Sequence, residues 1–311
     1  MAQFPEEQTD EGEFHRQEDE FRSLVSTAAG SVHPVESGRY HLYISLACPW
    51  AHRTLITRHL CGLENAVSVT VVNPVRDERG WAFGDGPGYS HDAVNGFHFL
   101  AEAYKATSRL FTGRVTVPVL WDKKAKCIVN NSEDDICRMF QDAFSGLASK
   151  EADLFPENIT GEQKDLSEFV YQRINNGVYR AGFASRQRPY EAAARTLFDA
   201  LDVLEKRLEN QRYLFGTKYV ETDWRLFCTL IRFDAVYHGH FKCNVRRIID
   251  YPNLFGFLRD LYQQPGIAET VNFDHIKRHY YVTHDDINPT RIVPIGPDLS
   301  ALSTPHGREN L

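Results

Sequence analysis

Between Tyr40 and Ser45 the chain is a short apolar run bounded by a turn, and from Pro49 apolar residues return at helical spacing: Trp50, Ala51, Leu55, Ile56 and Leu60. A second strand-like run covers 67–72. Strand, helix (49–61) and strand in this order predict a βαβ unit with a right-handed crossover. Asn73 to Arg114 is a long polar and aromatic excursion that holds Trp81, the glycine-rich stretch Gly84–Gly88 and a short helix over 97–106. A structureless loop of that length is unusual unless it serves a site. Pattern resumes at Thr116–Trp121 and, after a turn of Lys and Asp, at Cys127–Asn130, which together predict a β-hairpin. Pro118 stands at the mouth of the first hairpin strand, where a cis bond after Val117 is one solution. Asn131 or Ser132 is a natural N-cap for a helix running to about Phe144, with Asp134 and Asp135 in its first turn.

The order βαβ then ββα is that of an α/β thioredoxin-like domain, placed over 39–150. After a linker near 145–161 the character changes. Leu197, Leu201, Leu204 and Leu208 form an amphipathic helical stripe. Further helices are expected over 163–177, 222–237 and 253–262, so residues 160–311 read as an all-α domain with a C-terminal extension. Residues 1–38 lack periodicity and are read as an arm of coil with a short helix at most.

Composition narrows the function classes. Apolar residues make up 42% and charged residues 25% of 311, an ordinary soluble globular balance. A net charge of −7 argues against nucleic acid or an anionic membrane as partner. No apolar run reaches the roughly 18 residues a membrane span needs. The acidic start (Glu6, Glu7, Asp10, Glu11, Glu13) is unlike a secretory signal or transit peptide. Six dispersed cysteines with no CxxC and no zinc spacing suggest reduced thiols in a cytoplasmic protein. His238, His240, Cys243 and His275 lack metal-ligand spacing, and no metal is expected.

Cys48 carries the clearest chemistry. It directly precedes Pro49, which suits the first helical position because its φ is preset and its missing N–H is not needed there. A cysteine at a helix start faces unpaired N–H groups and the positive end of the macrodipole, which favour the nucleophilic thiolate. Position 51 is alanine, so no second cysteine is placed to resolve a disulfide. Any redox cycle then needs an external thiol. The alternative is a small buried cysteine in a strand–helix turn. His52 and Arg53 follow on the helix; His52 reads as a surface or interdomain polar residue.

A thioredoxin-like half followed by a helical half is the plan of glutathione transferases. Cys48-Pro-Trp-Ala-His-Arg53, Thr116-Val-Pro-Val-Leu-Trp-Asp122, Gly177–Phe183, Asp223–Phe227, Ile231–Tyr237, Gly239–Asn244, His279-Tyr-Tyr281 and Asn288–Pro294 together resemble the xi class, the glutathionyl-hydroquinone reductases. The resemblance spans about 38–298. It implies that Cys48 is the catalytic nucleophile and that Trp81, Arg114, Val117, Ser132 and Glu133 hold glutathione, the co-substrate. It implies that Tyr179 and Tyr280 reach the quinol from the helical domain, with Tyr281 the lesser choice for the second. It also implies a homodimer joined through the helical domains. The reaction implied is removal of glutathione from a glutathionyl-hydroquinone through a Cys48–glutathione mixed disulfide. Taken without the resemblance, both tyrosines read as packing residues. Arg114 reads equally as a solvated strand flank, and Trp81 as a local hydrophobic plug.

Two departures stand out. The family shows Glu-Ser where this chain has Ser132-Glu133, which moves the carboxylate by one residue, about 100° around a helix. Val220 stands where a Ser or Thr would cap the helix holding Asp223, so Thr222 is an alternative start. A thiol transferase of broader, omega-like scope that reduces dehydroascorbate, or a non-catalytic binder of aromatic ligands, are the competing functions.

Overall fold

All five residues of β1, Tyr40–Ile44, are buried, as a central strand covered on both faces requires. The structure, a computed structural model, describes residues 7–311; Glu6 and the residues before it, part of the expected arm, lie outside the described residues. Contacts divide the chain into two units. One comprises 18–153 and 270–279; the other comprises 154–269, 280–311 and the residues up to Gln17.

In the first unit β1 pairs in parallel with β2, Val67–Val71, across the connecting helix α1, Pro49–Leu60. On its other edge β1 pairs antiparallel with β3, Val119–Asp122, which forms the hairpin with β4, Cys127–Asn130. The sheet order is β2-β1-β3-β4, the mixed sheet of a thioredoxin-like unit. The Val117–Pro118 bond is cis, and β3 begins only at Val119 because proline has no N–H for the ladder. Helix α2, Leu100–Thr107, packs on β4, and α3, Glu133–Gln141, packs on α1.

Polar residues inside this unit are paired. His41 on β1 meets Ser68 Oγ at 2.7 Å and Thr70 Oγ1 at 2.9 Å. Burial pulls its pKa down to about 4, so the neutral ring donates through one nitrogen and accepts through the other. Asp122 ends β3. Burial alone would raise its pKa, but Arg39, the turn N–H groups of Ala125 and Lys124, and His33 hold it at about 2. Through His33 and Arg39 that carboxylate anchors the arm. The arm contains no regular helix over 18–38, yet it is not loose: Val25 is buried in the core, and Phe21 exchanges hydrogen bonds with Asn131 at 2.9 and 3.0 Å. The long excursion is ordered by buried Asp92, whose carboxylate accepts from the Tyr43 hydroxyl and from the N–H groups of Val94, Asn95 and Phe97.

The second unit is helical: α4 Thr160–Val170, α5 Asn176–Gly182, α6 Gln187–Arg207, α7 Glu221–Arg232 and α8 Pro252–Tyr262. The stripe Leu197, Leu201, Leu204, Leu208 is wholly buried. The expected single helices 163–177 and 222–237 are each interrupted, by π-helical turns at Tyr171–Asn175 and Phe233–Tyr237. Helix α9, Phe273–Thr283, contributes its part from Tyr280 onward to this unit. Gly182 of α5 lies so close to the Phe241 ring that a Cβ there would stand 2.2 Å from it.

The cap of α7 departs from expectation. The helix starts at Glu221 and not after Thr222, whose hydroxyl instead meets Ser167 Oγ at 2.7 Å. Asp223 secures that start by reaching back to the N–H of Val220 and across to that of Leu214, each at 2.8 Å. Burial pushes the Asp223 carboxyl up to about 7.

Candidate active site

Cys48 is the N-cap residue of α1, with φ −77° and ψ 122°, and Pro49 takes the first helical position. The first turn of α1 contains no acidic residue, so the helix itself places no carboxylate against an anion at its start. The sulfur is half-buried, and its S–H is directed at the Val117 carbonyl 3.5 Å away. The fold thus brings together Cys48 and Val117, which are 69 residues apart in sequence.

Ser132 occupies the N-cap of α3; its N–H donates to Asn130 Oδ1 at 2.8 Å, but its hydroxyl makes no capping bond. Glu133 turns its carboxylate to Arg53 on α1, 3.3 Å away, while the other guanidinium nitrogen meets Asp134 at 2.7 Å. Arg53 is buried, and burying a charge demands this kind of pairing. Its role was missed in the sequence because nothing local marks a helix arginine as internal. His52, read there as a surface or interdomain polar residue, is buried and bonded through Nε2 to Thr270 Oγ1 at 2.7 Å. The side chain faces a distant hydroxyl of the same unit, which helical spacing cannot reveal.

Trp81 is buried in the apolar core of this unit and stacks on the His279 ring at 5.0 Å. His279 is fixed in turn by the Pro74 carbonyl, 2.7 Å from Nδ1, and Arg76 lies 5.5 Å from the indole. Arg114 sits half-buried in the segment leading to Val117.

In the helical unit the two tyrosines meet. Tyr179 Oη and Tyr280 Oη are 2.5 Å apart, with 8% and 1% of each residue exposed. Burial raises the Tyr280 pKa well above its ordinary value, so its hydroxyl remains a proton donor. Tyr281 does not join them: its hydroxyl is directed at the Ala235 carbonyl, and it lines a separate cavity of about 490 Å³ with His238 and Phe255. Arg16 lies over the Tyr179 ring at 5.0 Å and donates to Asn176 Oδ1 at 3.1 Å.

Family models place these two units. The glutathione S-transferase N-terminal domain matches residues 47–143, and the glutathione S-transferase C-terminal domain matches 187–260. The chain is 50% identical over 306 residues to glutathionyl-hydroquinone reductase YqjG of Escherichia coli K12, covering 96% of this chain and 93% of that relative. A xi-class glutathione transferase from Natrialba magadii superposes with a TM-score of 0.92 at 50% identity, covering 94% of this chain and 89% of the other. The chain belongs to the xi-class glutathione transferases. The glutathione-bound structure of the same YqjG, described as a glutathione transferase homolog from Escherichia coli K-12, matches with a TM-score of 0.90 at 49% identity over 93% of this chain and 96% of that one.

The Glu133 carboxylate is engaged by Arg53, which draws it towards α1. We expect glutathione to bind the Ser132→Glu/Glu133→Ser double variant about tenfold more tightly than the native chain, the worth of one charge-assisted hydrogen bond. Isothermal titration of glutathione into both proteins measures this; equal dissociation constants would show that the order is immaterial.

Proposed function

We propose that the chain catalyses the glutathione-dependent reduction of S-glutathionyl-hydroquinones. The observation that carries this reading is 50% identity, across 96% of the chain, to a protein named glutathionyl-hydroquinone reductase. A lone cysteine at a helix start, with Ala51 where a resolving thiol would stand, supports it. In the first step the Cys48 thiolate attacks the sulfur of the conjugate. A Cys48–glutathione disulfide forms, the carbon–sulfur bond breaks, and the aryl carbon takes a proton. In the second step the thiolate of a second glutathione attacks that disulfide, releasing oxidised glutathione and restoring Cys48. The net change is conjugate plus glutathione to hydroquinone plus oxidised glutathione, so the aryl carbon gains the two electrons that the sulfurs lose.

Tyr179 and Tyr280 take the role of hydrogen-bond donors to the quinol oxygens, where charge develops as sulfur departs. Trp81, Arg114, Val117, Ser132 and Glu133 form the glutathione site in this reading: Val117 pairs through its main chain, and the Arg114 guanidinium donates to the glycyl carboxylate of glutathione. Homodimerisation through the helical unit is supported by the large apolar residues that unit exposes, Val245, Ile249, Ile292 and Ile295. A reducing, cytoplasmic setting is supported by six free cysteines; no helix among the described residues is long and apolar enough to cross a membrane.

Mixing the protein with one equivalent of glutathionyl-menadiol, without free glutathione, tests the first step. Mass spectrometry should find one glutathionyl group on the peptide holding Cys48, with menadiol released in equal amount. An unmodified Cys48, or a glutathionyl group on another cysteine, would overturn the proposal.

A further inference from the structure

The cavity of about 490 Å³ in the helical unit is lined entirely by residues of that unit, and neither Tyr179 nor Tyr280 is among them. Its buried part is apolar, with Leu230 and Ile231 of α7 and Leu258 of α8, and Phe255 and Tyr281 add two aromatic rings. The remaining wall comes from residues 294–302 of the C-terminal extension. That wall is tied at both ends. Before it, Asn288 Nδ2 donates to the Tyr281 carbonyl at 2.7 Å and to the Ile292 carbonyl at 3.1 Å. After it, Gln263 Nε2 donates to the carbonyls of Leu302 and Thr304 at 2.8 and 2.7 Å. The buried Arg308 guanidinium then fixes the tail on the carbonyls of Leu208 and Arg212 at 2.7 and 3.2 Å. A wall held at both ends keeps the space open, so a guest meets a pre-formed site and little ordering entropy opposes its binding.

The polar groups of the lining state what that guest is. The Asp234 carboxylate accepts from the N–H groups of Ile248 and Ile249 at 2.7 and 3.1 Å. Asp298 accepts from the Ser300 N–H at 2.9 Å, and the Tyr281 hydroxyl is directed at the Ala235 carbonyl. Arg247 is committed to Asp250, 2.7 Å away. His238 differs from all of these. It is half-buried, and its imidazole has no hydrogen-bond partner among the described residues. A ring nitrogen at an apolar wall is open to one hydrogen bond from a guest. Charge narrows the class further: two carboxylates, Asp234 and Asp298, stand against one arginine already engaged by Asp250, a balance that works against an anion.

We propose that this cavity is a second binding site, for uncharged aromatic molecules of about two or three rings that carry one N–H or O–H group: the rings pack on Ile231, Phe255 and Leu258, and the polar group bonds to His238. Burial of the rings supplies the affinity, since apolar area leaves water on both sides of the contact. The single hydrogen bond sets the orientation. The proposal is independent of the reductase reading, because no lining residue takes part in that chemistry.

Fluorescence titration of the full chain with two probes tests this. N-phenyl-1-naphthylamine is uncharged and brightens in apolar surroundings; 8-anilino-1-naphthalenesulfonate is the same skeleton with a sulfonate. The amine should bind with a dissociation constant of about 10–100 µM, and the sulfonate at least about tenfold more weakly. Ala301→Trp and Leu299→Trp, which fill the cavity from its outer wall, should each weaken the amine at least about tenfold. His238→Phe, which keeps a ring but loses the nitrogen, should weaken it about fivefold. Melting temperatures check that each variant is folded, and the two tryptophan variants stand in for one another. An excess of S-hexylglutathione, which competes for the candidate active site, should leave the amine bound. Displacement by S-hexylglutathione, native affinity in both tryptophan variants, sulfonate binding as tight as that of the amine, or no saturable binding below about 1 mM would each overturn the inference.

Discussion

Replacing Cys48 by serine is expected to abolish turnover of glutathionyl-menadiol, by at least about a thousandfold, while the fold keeps or slightly gains stability. The two effects have separate causes. A serine oxygen cannot form a disulfide with the conjugate sulfur, so the covalent intermediate has no counterpart, and its hydroxyl stays protonated where a thiol ionises. The same oxygen is a good N-cap acceptor. Cys48 makes no side-chain capping bond at the start of α1, so serine can add one where cysteine has none, worth roughly 0.5–1 kcal/mol. Turnover and thermal melting measured on the same preparation separate the outcomes. Retained turnover in Cys48→Ser would end the covalent mechanism. A large fall in melting temperature would instead assign the sulfur a packing role.

Removing the tyrosine hydroxyls is the second large effect. Tyr179→Phe is expected to lower kcat on glutathionyl-menadiol by about a hundredfold with little change in KM, the usual consequence of losing a donor aimed at developing charge. Tyr280→Phe should lower kcat comparably and should also lower stability. Its hydroxyl bonds both Tyr179 and Tyr237, and removing it deprives the fully buried Tyr237 hydroxyl of one of its two hydrogen-bond partners, at about 1 kcal/mol. The contrast between the two variants is the informative part. Stopped-flow or steady-state rates paired with denaturant unfolding would show it. Rates within a factor of two of the native enzyme in both variants would leave the tyrosine pair with no part in the chemistry.

Much of the thioredoxin-like unit is legible along the chain because its signals are local. Tyr40–Ile44 reads as a buried strand from its own residues, and Pro49 marks the start of α1 from its own ring. The hairpin was legible for the same reason, although its first strand begins at Val119 and not Thr116, since Pro118 interrupts the ladder. The two long helices of the helical unit were read as continuous because an apolar stripe with a period near 3.6 does not register one extra residue. That residue advances the following side chains by about 100°, which is how Tyr237 escaped notice as a partner of Tyr280.

The sequence by itself determined the order of elements, the position of Cys48 at a helix start, the absence of a second cysteine at 51, and the buried stripe of α6. Each follows from residues within a turn or two of one another. Tertiary structure decided which polar atoms meet: Arg53 with Glu133 and Asp134, His52 with Thr270, Trp81 with His279, and the hydroxyls of Tyr179 and Tyr280 across 101 residues of chain. Spacing states which face of a helix is apolar, but a buried polar group is satisfied by whichever distant partner packing brings within about 3 Å.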